Sequence, residues 1–298
     1  MLYLSQQIAN ALPLAALYAL LAFGYAIAFA VTKRADLTYG ALFAFSGQMY
    51  VLFVDVGWNR LWLVLPAALA LGMAAALAYS ALAAAVIGRE VMARLAFSTP
   101  NTVIVAGLGC LIVLMETARL ASDTRSLWLP PFLNRTVALW HVGGVPVTLT
   151  AIQLVNVAVM IGLIALGSLG LTRTRAGRVW RAVSDDARAA EFCGVDAKGV
   201  FLAAYLAAAM IAAVAGLMAT SYYGTMDFGA GLIFSLKVVM IASIGGVSDP
   251  LRSALGAALL GLTETVWSSF APIVWRDLFL FSLLVVIVVM TRREKVVP

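Results

Sequence analysis

The sequence has few of the residues on which most catalytic and metal-binding sites depend. It contains one histidine, His141, and two cysteines, Cys110 and Cys193, in 298 residues. One histidine excludes a His pair, and two distant cysteines indicate neither a disulfide framework nor a cysteine metal cluster. The phosphate-binding pattern of a glycine, four residues and Gly-Lys-Ser/Thr occurs nowhere. We therefore expect no catalytic residue, no metal site and no nucleotide site in this chain.

Charged residues are also scarce, and apolar residues are abundant. Charged residues make up 11% of the chain, hydrophobic residues 63%, and the mean hydropathy is +1.01. Soluble domains are only about half apolar, so the composition predicts an all-α, polytopic helical membrane protein. The net charge of +6 comes from basic residues in short loops, which indicates membrane orientation and not a nucleic-acid surface. No charged segment precedes the first apolar run, so we expect no cleavable signal peptide.

Nine apolar runs are candidates for membrane crossings, since about 20 helical residues cover the ~30 Å hydrocarbon core. They are residues 8–31, 35–54, 62–87, 101–118, 149–171, 200–222, 232–247, 251–270 and 273–291. The expected count is eight to nine, because 35–54 and 232–247 are candidates for broken or half-spans. Lys33, Arg34 and the basic tail at 292–295 predict an external N-terminus and a cytoplasmic C-terminus.

Two polar stretches interrupt the apolar pattern. Residues 119–148 contain the pair Pro130-Pro131, two tryptophans and a Gly-Gly pair, and we interpret them as an external loop that forms a small hairpin or lid. Residues 173–199 are strongly charged and are predicted to lie in the cytoplasm.

The 173–199 stretch has helical periodicity from Gly177 to Gly194, which stands where a helix stop is expected. Arg181 with Asp185, and Asp185 with Arg188, have the spacing of intrahelical ion pairs. Such a short amphipathic helix suits docking into a groove on a soluble partner. The alternative is a solvated basic loop that only sets the topology.

Polar residues inside the apolar runs are candidates for a transport path, because charge in a membrane span usually faces protein or water. Asp36, Thr38 and Tyr39 open the second run and are poor lipid-facing residues, so this run is expected to begin in a polar cavity. Lys237 and Glu264 lie in two later runs. They either line the path or form a structural ion pair.

Three segments, in order, resemble the LivH-type permease subunits of branched-chain amino acid ABC importers, over about residues 12–289. The first is LPLAALYALLAFGYAIAF near the N-terminus. The second is the charged stretch, with matches at Gly177, Arg178, Arg181, Ala182, Asp186, Ala190 and Gly194. The third is AAMIAAVAGLMATSYYG followed by LKVVMIASIGGVSDPLRSALGAALLGLTE, with matches at Lys237, Gly245, Gly246, Gly256, Ala257, Gly261 and Glu264.

The resemblance implies a single transmembrane permease domain over 1–298 in a bacterial inner membrane. It implies that residues 177–194 are the coupling helix that meets an ATPase. The residues expected to couple are Gly177, Arg178, Arg181, Asp185, Asp186, Arg188, Ala190 and Gly194. The implied partners are a paralogous LivM-type permease, two cytoplasmic ATPase subunits that bind ATP and Mg, and an extracytoplasmic substrate-binding protein. The resemblance also implies that this chain holds no cofactor of its own.

The chain departs from the family pattern at one motif, and this departure bears on which solute is transported. Family members commonly carry an Asn-Phe-Ala-His-Gly-like sequence after the first span, whereas this chain has Asp36-Leu37-Thr38-Tyr39-Gly40. The resemblance therefore implies branched-chain amino acids or a related small polar solute. An ion-coupled secondary transporter or channel is the other hypothesis. It would favour a buried acid or histidine relay, for which the sequence offers few residues.

Overall fold

The computed structural model describes residues 2–95, 99–142, 144–244, 246 and 248–291. The α-helices are α1 (Leu2–Thr32), α2 (Thr38–Asp55), α3 (Leu65–Val86), α4 (Ala93–Leu95), α5 (Pro100–Ala121), α6 (Ala151–Arg173), α7 (Arg175–Asp185), α8 (Ala187–Phe192), α9 (Ala197–Tyr223), α10 (Ala230–Ile244), α11 (Pro250–Phe270) and α12 (Arg276–Thr291). Short π-helical segments extend two of them, over Val56–Arg60 and Ile87–Met92. The strands are β1 (Thr136–Val142) and β2 (Val145–Thr150).

Helix α1 lies in the middle of the bundle and packs antiparallel to α11. Tyr3 donates to the carbonyl of Ser269 at one end of this pair. Farther along, a Cβ added to Gly261 would lie 2.6 Å from the Cα of Ala15, so the two backbones touch. A glycine allows this approach because it has no side chain.

Helix α2 is the second central element and packs against α3, α5, α9 and α10. A Cβ on Gly216 of α9 would overlap the carbonyl oxygen of Phe43. Beside this contact, the Ser46 hydroxyl donates to the Ala213 carbonyl at 2.8 Å. The small residues of α9 therefore serve packing within the chain, as expected for closely approaching membrane helices.

The predicted run 35–54 is neither a half-span nor a helix from its first residue. Helix α2 begins at Thr38, and with its π-helical extension it forms an apolar helix over Thr38–Arg60, which is 23 residues long and long enough to span. The α1–α2 link lies beside the body of α5, because a Cβ on Gly107 would be 3.5 Å from an Asp36 carboxylate oxygen.

The predicted run 232–247 corresponds to α10, which has 15 residues and is too short to span alone at 1.5 Å per residue. Its Gly-Gly turn contains Gly246 with φ +96°, the positive φ predicted for it. Gly245 and Val247 lie outside the described residues, as does the basic tail 292–295. Pro250 opens α11 as predicted, and the Asp249 side chain caps it.

The predicted hairpin forms over residues 136–150, two residues beyond the predicted stretch, so the all-α expectation needs correction. Strands β1 and β2 pair antiparallel, from Thr136 opposite Thr150 to Val142 opposite Val145, with a bulge near Leu139. β-branched and aromatic residues make up most of both strands, which favours extended backbone over helix. The start of the same stretch is helical, because α5 continues to Ala121 and not only to residue 118.

Six of the described helices are long and apolar enough to cross a membrane: those at 3–32, 38–60, 65–95, 101–121, 151–173 and 197–223. The fold is therefore a mostly helical, multi-pass one. Helices α10, α11 and α12 correspond to the last three predicted crossings, and the total of nine crossings stays a prediction. We call the end of the bundle that carries β1 and β2 the hairpin end, and the end that carries α7 and α8 the coupling end.

Candidate transport and coupling sites

The charged stretch forms two short helices and not the single one predicted. Helix α7 ends at Asp185, and α8 begins after Asp186, which adopts extended backbone angles. The Asp186 carboxylate accepts the backbone N–H groups of Arg188 and Ala189 at 2.9 and 3.1 Å. An aspartate in this position satisfies helix N-terminal donors, so Asp186 ends one helix and starts the next.

This break also separates residues that were predicted to pair. Within the described residues, neither Arg181 with Asp185 nor Asp185 with Arg188 approaches to ion-pair distance, and the guanidinium of Arg181 donates instead to the Thr172 carbonyl at 3.4 Å. The predicted ion pairs are therefore wrong. Asp185 and Arg188 belong to different helices and do not share a helical face.

Apolar contacts hold the two helices against the bundle. The Trp180 indole N–H donates to the Ile27 carbonyl of α1 at 3.1 Å. Val183 of α7 and Ala190 of α8 are buried in one cluster with Ala197 of α9. The α7–α8 segment is thus attached to α1 and α9, and a displacement of the segment would be transmitted to those two helices.

Gly177 and Gly194 mark the two ends of the predicted coupling helix, and each has a distinct structural reason. A Cβ on Gly177 would overlap the Leu171 backbone, where α6 turns into α7. Gly194 has φ +83° and follows α8, as a helix-terminating glycine does. The Gly194 prediction is confirmed as a helix stop.

The outward side of the segment is charged, and one large apolar side chain there is almost fully exposed. Arg178, Arg181, Asp185, Asp186 and Arg188 are exposed. Phe192, which the sequence analysis did not single out, is 93% exposed at the end of α8. The sequence shows a phenylalanine close to the glycine stop. It does not show that the side chain is exposed, because the direction of that side chain depends on the α7–α8 break.

Two of the three predicted path residues near the start of α2, Asp36 and Tyr39, line one cavity at the coupling end, and Thr38 lies beside it without lining it. A space of about 570 Å³, which includes solvent at its mouth, lies there between α1, α2, α9 and the chain near residue 95. Its walls are mainly apolar and aromatic, the charged groups are Arg34 and Asp36, and hydroxyl groups come from Thr32 and three tyrosines, Tyr39 among them. Such a mixture of apolar walls and few polar groups is typical of small-molecule sites.

Asp36 is held in place by its neighbours. The Thr38 hydroxyl lies 2.7 and 2.6 Å from the two Asp36 carboxylate oxygens, and the Thr38 backbone N–H donates at 2.8 Å. The Tyr205 hydroxyl of α9 is 2.9 Å from the Thr38 hydroxyl. Burial raises the pKa of the Asp36 carboxyl, while the hydrogen bonds from Thr38 oppose this rise.

Tyr39 differs from Asp36 because its polar atom has no partner. Its side chain is 4% exposed, and its hydroxyl makes no hydrogen bond within the described structure. The ring packs edge-on against Tyr25 at 5.7 Å, and the hydroxyl lies against Gly24. A buried hydroxyl without a partner is costly, so it is available to a solute or water that reaches the cavity.

Lys237 and Glu264 do not line this cavity; they belong to a buried ion cluster between α1, α10, α11 and α12. The Lys237 ammonium lies 3.5 Å from both the Glu264 and Asp277 carboxylates, and both Lys237 and Glu264 are almost fully buried. Arg276 lies 3.6 Å from the same Glu264 oxygen, and the Tyr18 hydroxyl donates to the other at 2.7 Å. The geometry matches the structural ion pair that the sequence left open.

Sequence reasoning missed Tyr18, Arg276 and Asp277 as members of this cluster. Arg276 and Asp277 read as an ordinary charged turn before the last apolar run. Only the packing of α12 against α10 brings them to Lys237.

Fold and sites together define a helical membrane protein with an internal cavity and a charged docking segment, the class to which transport subunits belong. A protein-family model described as "Branched-chain amino acid transport system / permease component" matches residues 7–288. The chain belongs to this family.

Individual relatives agree with the family assignment. The chain is 24% identical to the high-affinity branched-chain amino acid transport system permease protein LivH of Escherichia coli (strain K12), over 96% of this chain and 93% of the relative. It is 25% identical to the corresponding permease protein BraD of Pseudomonas aeruginosa, over 95% and 92%. The fructose import permease protein FruG of Bifidobacterium longum is 29% identical over 46% and 43%. No solved structure matches this chain.

These findings establish the general role of the chain. It is a permease subunit of an ABC importer and a multi-pass protein of the bacterial inner membrane. Its role is transport, and the family implies ATPase and substrate-binding partners in general.

Proposed function

We propose that the chain carries branched-chain amino acids, or a related small polar solute, across the inner membrane, driven by ATP hydrolysis in partner subunits. The observation that supports this cargo most strongly is the match over nearly the whole chain to relatives named as branched-chain amino acid permeases. The fructose permease FruG covers less than half of the chain. The mainly apolar cavity beside Asp36 is compatible with an aliphatic side chain.

The whole chain, 1–298, acts as one transmembrane permease domain, with an external N-terminus and a cytoplasmic C-terminus. In this orientation the hairpin end faces outward, and residues 119–148 meet the loaded substrate-binding protein. The coupling end, with Lys33, Arg34 and the α7–α8 segment, faces the cytoplasm. This agrees with the excess of basic residues on the cytoplasmic side of membrane proteins.

The partner set is a LivM-type paralogous permease, two cytoplasmic ATPase subunits and an extracytoplasmic binding protein. ATP and Mg bind to the ATPase subunits, and this chain holds no cofactor and performs no catalysis. The lipid bilayer is the remaining partner.

Coupling takes place through α7 and α8. Phe192 inserts into an apolar groove of an ATPase subunit, while the exposed charges of Arg178, Arg181 and Arg188 surround it. A buried aromatic within a polar rim is the usual arrangement of an energetically dominant interface contact. The contacts of Trp180 with Ile27 and of Val183 and Ala190 with Ala197 then carry the motion to α1 and α9.

The solute passes the cavity lined by Asp36 and Tyr39 on its way to the cytoplasm, and Thr38 holds Asp36 in place beside it. The unpartnered Tyr39 hydroxyl and the Asp36 carboxylate offer it polar contacts. The Lys237–Glu264 cluster lies beside this route and holds α10 in place.

The partner set is tested by purifying the tagged chain from its native membrane in mild detergent and identifying the co-purifying proteins by mass spectrometry. We expect two ATPase copies and a second permease for each chain. A Phe192→Ala variant should lose the ATPase but keep the second permease. Val179→Ala, an apolar exposed residue on α7, is the control. A homo-oligomer without ATPase would contradict the proposed partners and coupling.

A further inference from the structure

A second cavity lies at the hairpin end and contains none of the residues discussed so far. It holds about 660 Å³ of empty space between the far half of α2, the chain after α5, and the α9–α10 connection. The residues that matter to its chemistry are Gln48, Arg125, Trp128, Met226 and Asp227. Backbone bonds close its rim, since Leu129 N–H donates to the Gly224 carbonyl at 2.7 Å.

Gln48 is the buried polar group of this cavity. Its side chain is 4% exposed, and its amide nitrogen donates to the Asp227 carbonyl at 3.1 Å. This bond fixes which end of the amide is the oxygen, and that oxygen has no hydrogen-bond partner. A buried amide acceptor left unpaired is costly, so a donor on a bound molecule would gain from meeting it.

Groups of opposite charge line the same cavity. The Arg125 guanidinium bonds to Asp123 at 3.0 Å, which occupies only part of its five donors. The Asp227 carboxylate accepts the Gly229 backbone N–H at 2.6 Å and has further acceptor capacity. A guanidinium and a carboxylate that face one space are complementary to a small molecule with both charges.

The remaining walls are apolar. Val51, Leu127, Trp128, Met226 and Phe228 surround the polar groups. The Gln48 oxygen is closed off in the present conformation, so a ligand must displace a neighbouring side chain to reach it. Met226, whose end packs near Gly47, can move at little cost because its side chain is long and unbranched.

We propose that this cavity is a binding site for a zwitterionic α-amino acid with an aliphatic side chain, at the face where the solute arrives. The ammonium group meets the Gln48 oxygen and the Asp227 carboxylate. The solute's carboxylate meets Arg125, and its aliphatic side chain lies against Met226 and Phe228. The proposal rests on the proposed function, because it assumes an amino-acid cargo.

The test measures binding of radiolabelled L-leucine to the permease complex in lipid nanodiscs, without nucleotide and without the binding protein. Isoamylamine, which lacks the carboxylate, and 4-methylpentanoate, which lacks the ammonium group, serve as competitors. We expect both analogues to compete at least about tenfold more weakly than unlabelled leucine, since each loses one charged contact worth over 1.4 kcal/mol. Equal competition by either analogue would contradict recognition of both charges.

Matched variants locate the binding to this cavity. Gln48→Met removes the unpaired oxygen, and Arg125→Gln removes the guanidinium; each should weaken leucine binding about tenfold. Ser80→Ala alters another buried side chain whose oxygen has no partner, and Arg135→Gln alters an exposed arginine of the same external stretch. Neither control should change binding.

The rate of chemical labelling inside the cavity gives a second measurement. It does not require that the Gln48 variants fold correctly. A cysteine at exposed Ser126, which lines the cavity, should react with a maleimide more slowly when leucine is present. A cysteine at exposed Asn134, outside the cavity, should react at one rate with and without leucine.

The outcomes separate this proposal from the proposed function. If the complex imports leucine but Gln48→Met, Arg125→Gln and Ser126→Cys all show no effect, the site is refuted and the cargo assignment stands. If the complex imports no amino acid at all, the proposed cargo fails, and this site fails with it.

Discussion

At the residue scale, the buried charges contribute to packing between helices more clearly than to transport. Lys237 and Glu264 are nearly inaccessible, and besides each other their partners come from two other helices, α1 and α12. Removing one member of a buried ion pair leaves the other charge uncompensated, which costs about 3–5 kcal/mol.

Lys237→Met should therefore lower the free energy of unfolding by about 3–5 kcal/mol. The thermal unfolding midpoint of the purified protein in detergent should fall with it. The double variant Lys237→Met/Glu264→Gln should recover part of that loss, because the buried carboxylate that has lost its lysine is removed as well. Arg252→Met, which breaks the exposed pair of Arg252 with Asp249, should cost less than about 1 kcal/mol. Equal midpoints for Lys237→Met and Arg252→Met would refute the structural role.

Two glycines of spanning helices provide a matched test of close packing. Gly216→Ala would overlap the Phe43 carbonyl and should destabilise the protein by about 1–3 kcal/mol. Gly162→Ala meets no atom within 4 Å and should cause no loss. Unfolding of both variants in detergent checks the contrast, and a stable Gly216→Ala variant would show that α2 and α9 are farther apart than described.

At the element scale, the sequence predicted the apolar helices well because hydropathy depends on local composition. It placed the hairpin and the charged segment in the correct ranges. It missed the break between α7 and α8, although an aspartate pair at 185–186 is a usual signal for a helix start.

Contacts between distant parts of the chain could not be predicted from local patterns. The bond from Trp180 to the Ile27 carbonyl joins residues 153 positions apart, and Asp227 reaches Gln48 across 179. Such contacts follow from helix packing, which periodicity does not encode. The sequence singled out Asp36 and Tyr39, which line one cavity, because they stand out in an apolar run, but local patterns gave no sign of the cavity at Gln48 and Arg125.

Asp186→Ala should remove the cap of α8 and loosen the coupling segment, at a cost of about 1 kcal/mol in overall stability. We expect uptake per ATP hydrolysed to fall several-fold, while ATP hydrolysis persists. Gly194→Ala should act in the same direction, because its φ of +83° strains an alanine.

Asp196→Ala is the control for these variants, because Asp196 caps α9 through the Lys198 N–H and not α8. It should keep uptake coupled to hydrolysis. Unchanged coupling in both Asp186→Ala and Gly194→Ala would contradict the role of the α7–α8 segment.

At the scale of the whole molecule, the proposed orientation places the two ends of the bundle on opposite sides of the membrane. In spheroplasts, a membrane-impermeant maleimide should label an Asn134→Cys variant at the hairpin end. It should reach the exposed native Cys193 at the coupling end only after permeabilisation. The reverse pattern would invert the orientation and place α7 and α8 outside, where no ATPase could reach them.

We propose that this chain imports amino acids only as part of an ATP-driven complex. The measurement that decides this is leucine uptake into proteoliposomes that contain the purified complex, with ATP inside and the loaded substrate-binding protein outside. We expect accumulation that requires hydrolysable ATP and stops when the Phe192→Ala variant replaces the parent chain. Accumulation by the chain alone, driven by a proton or sodium gradient without ATP, would contradict it.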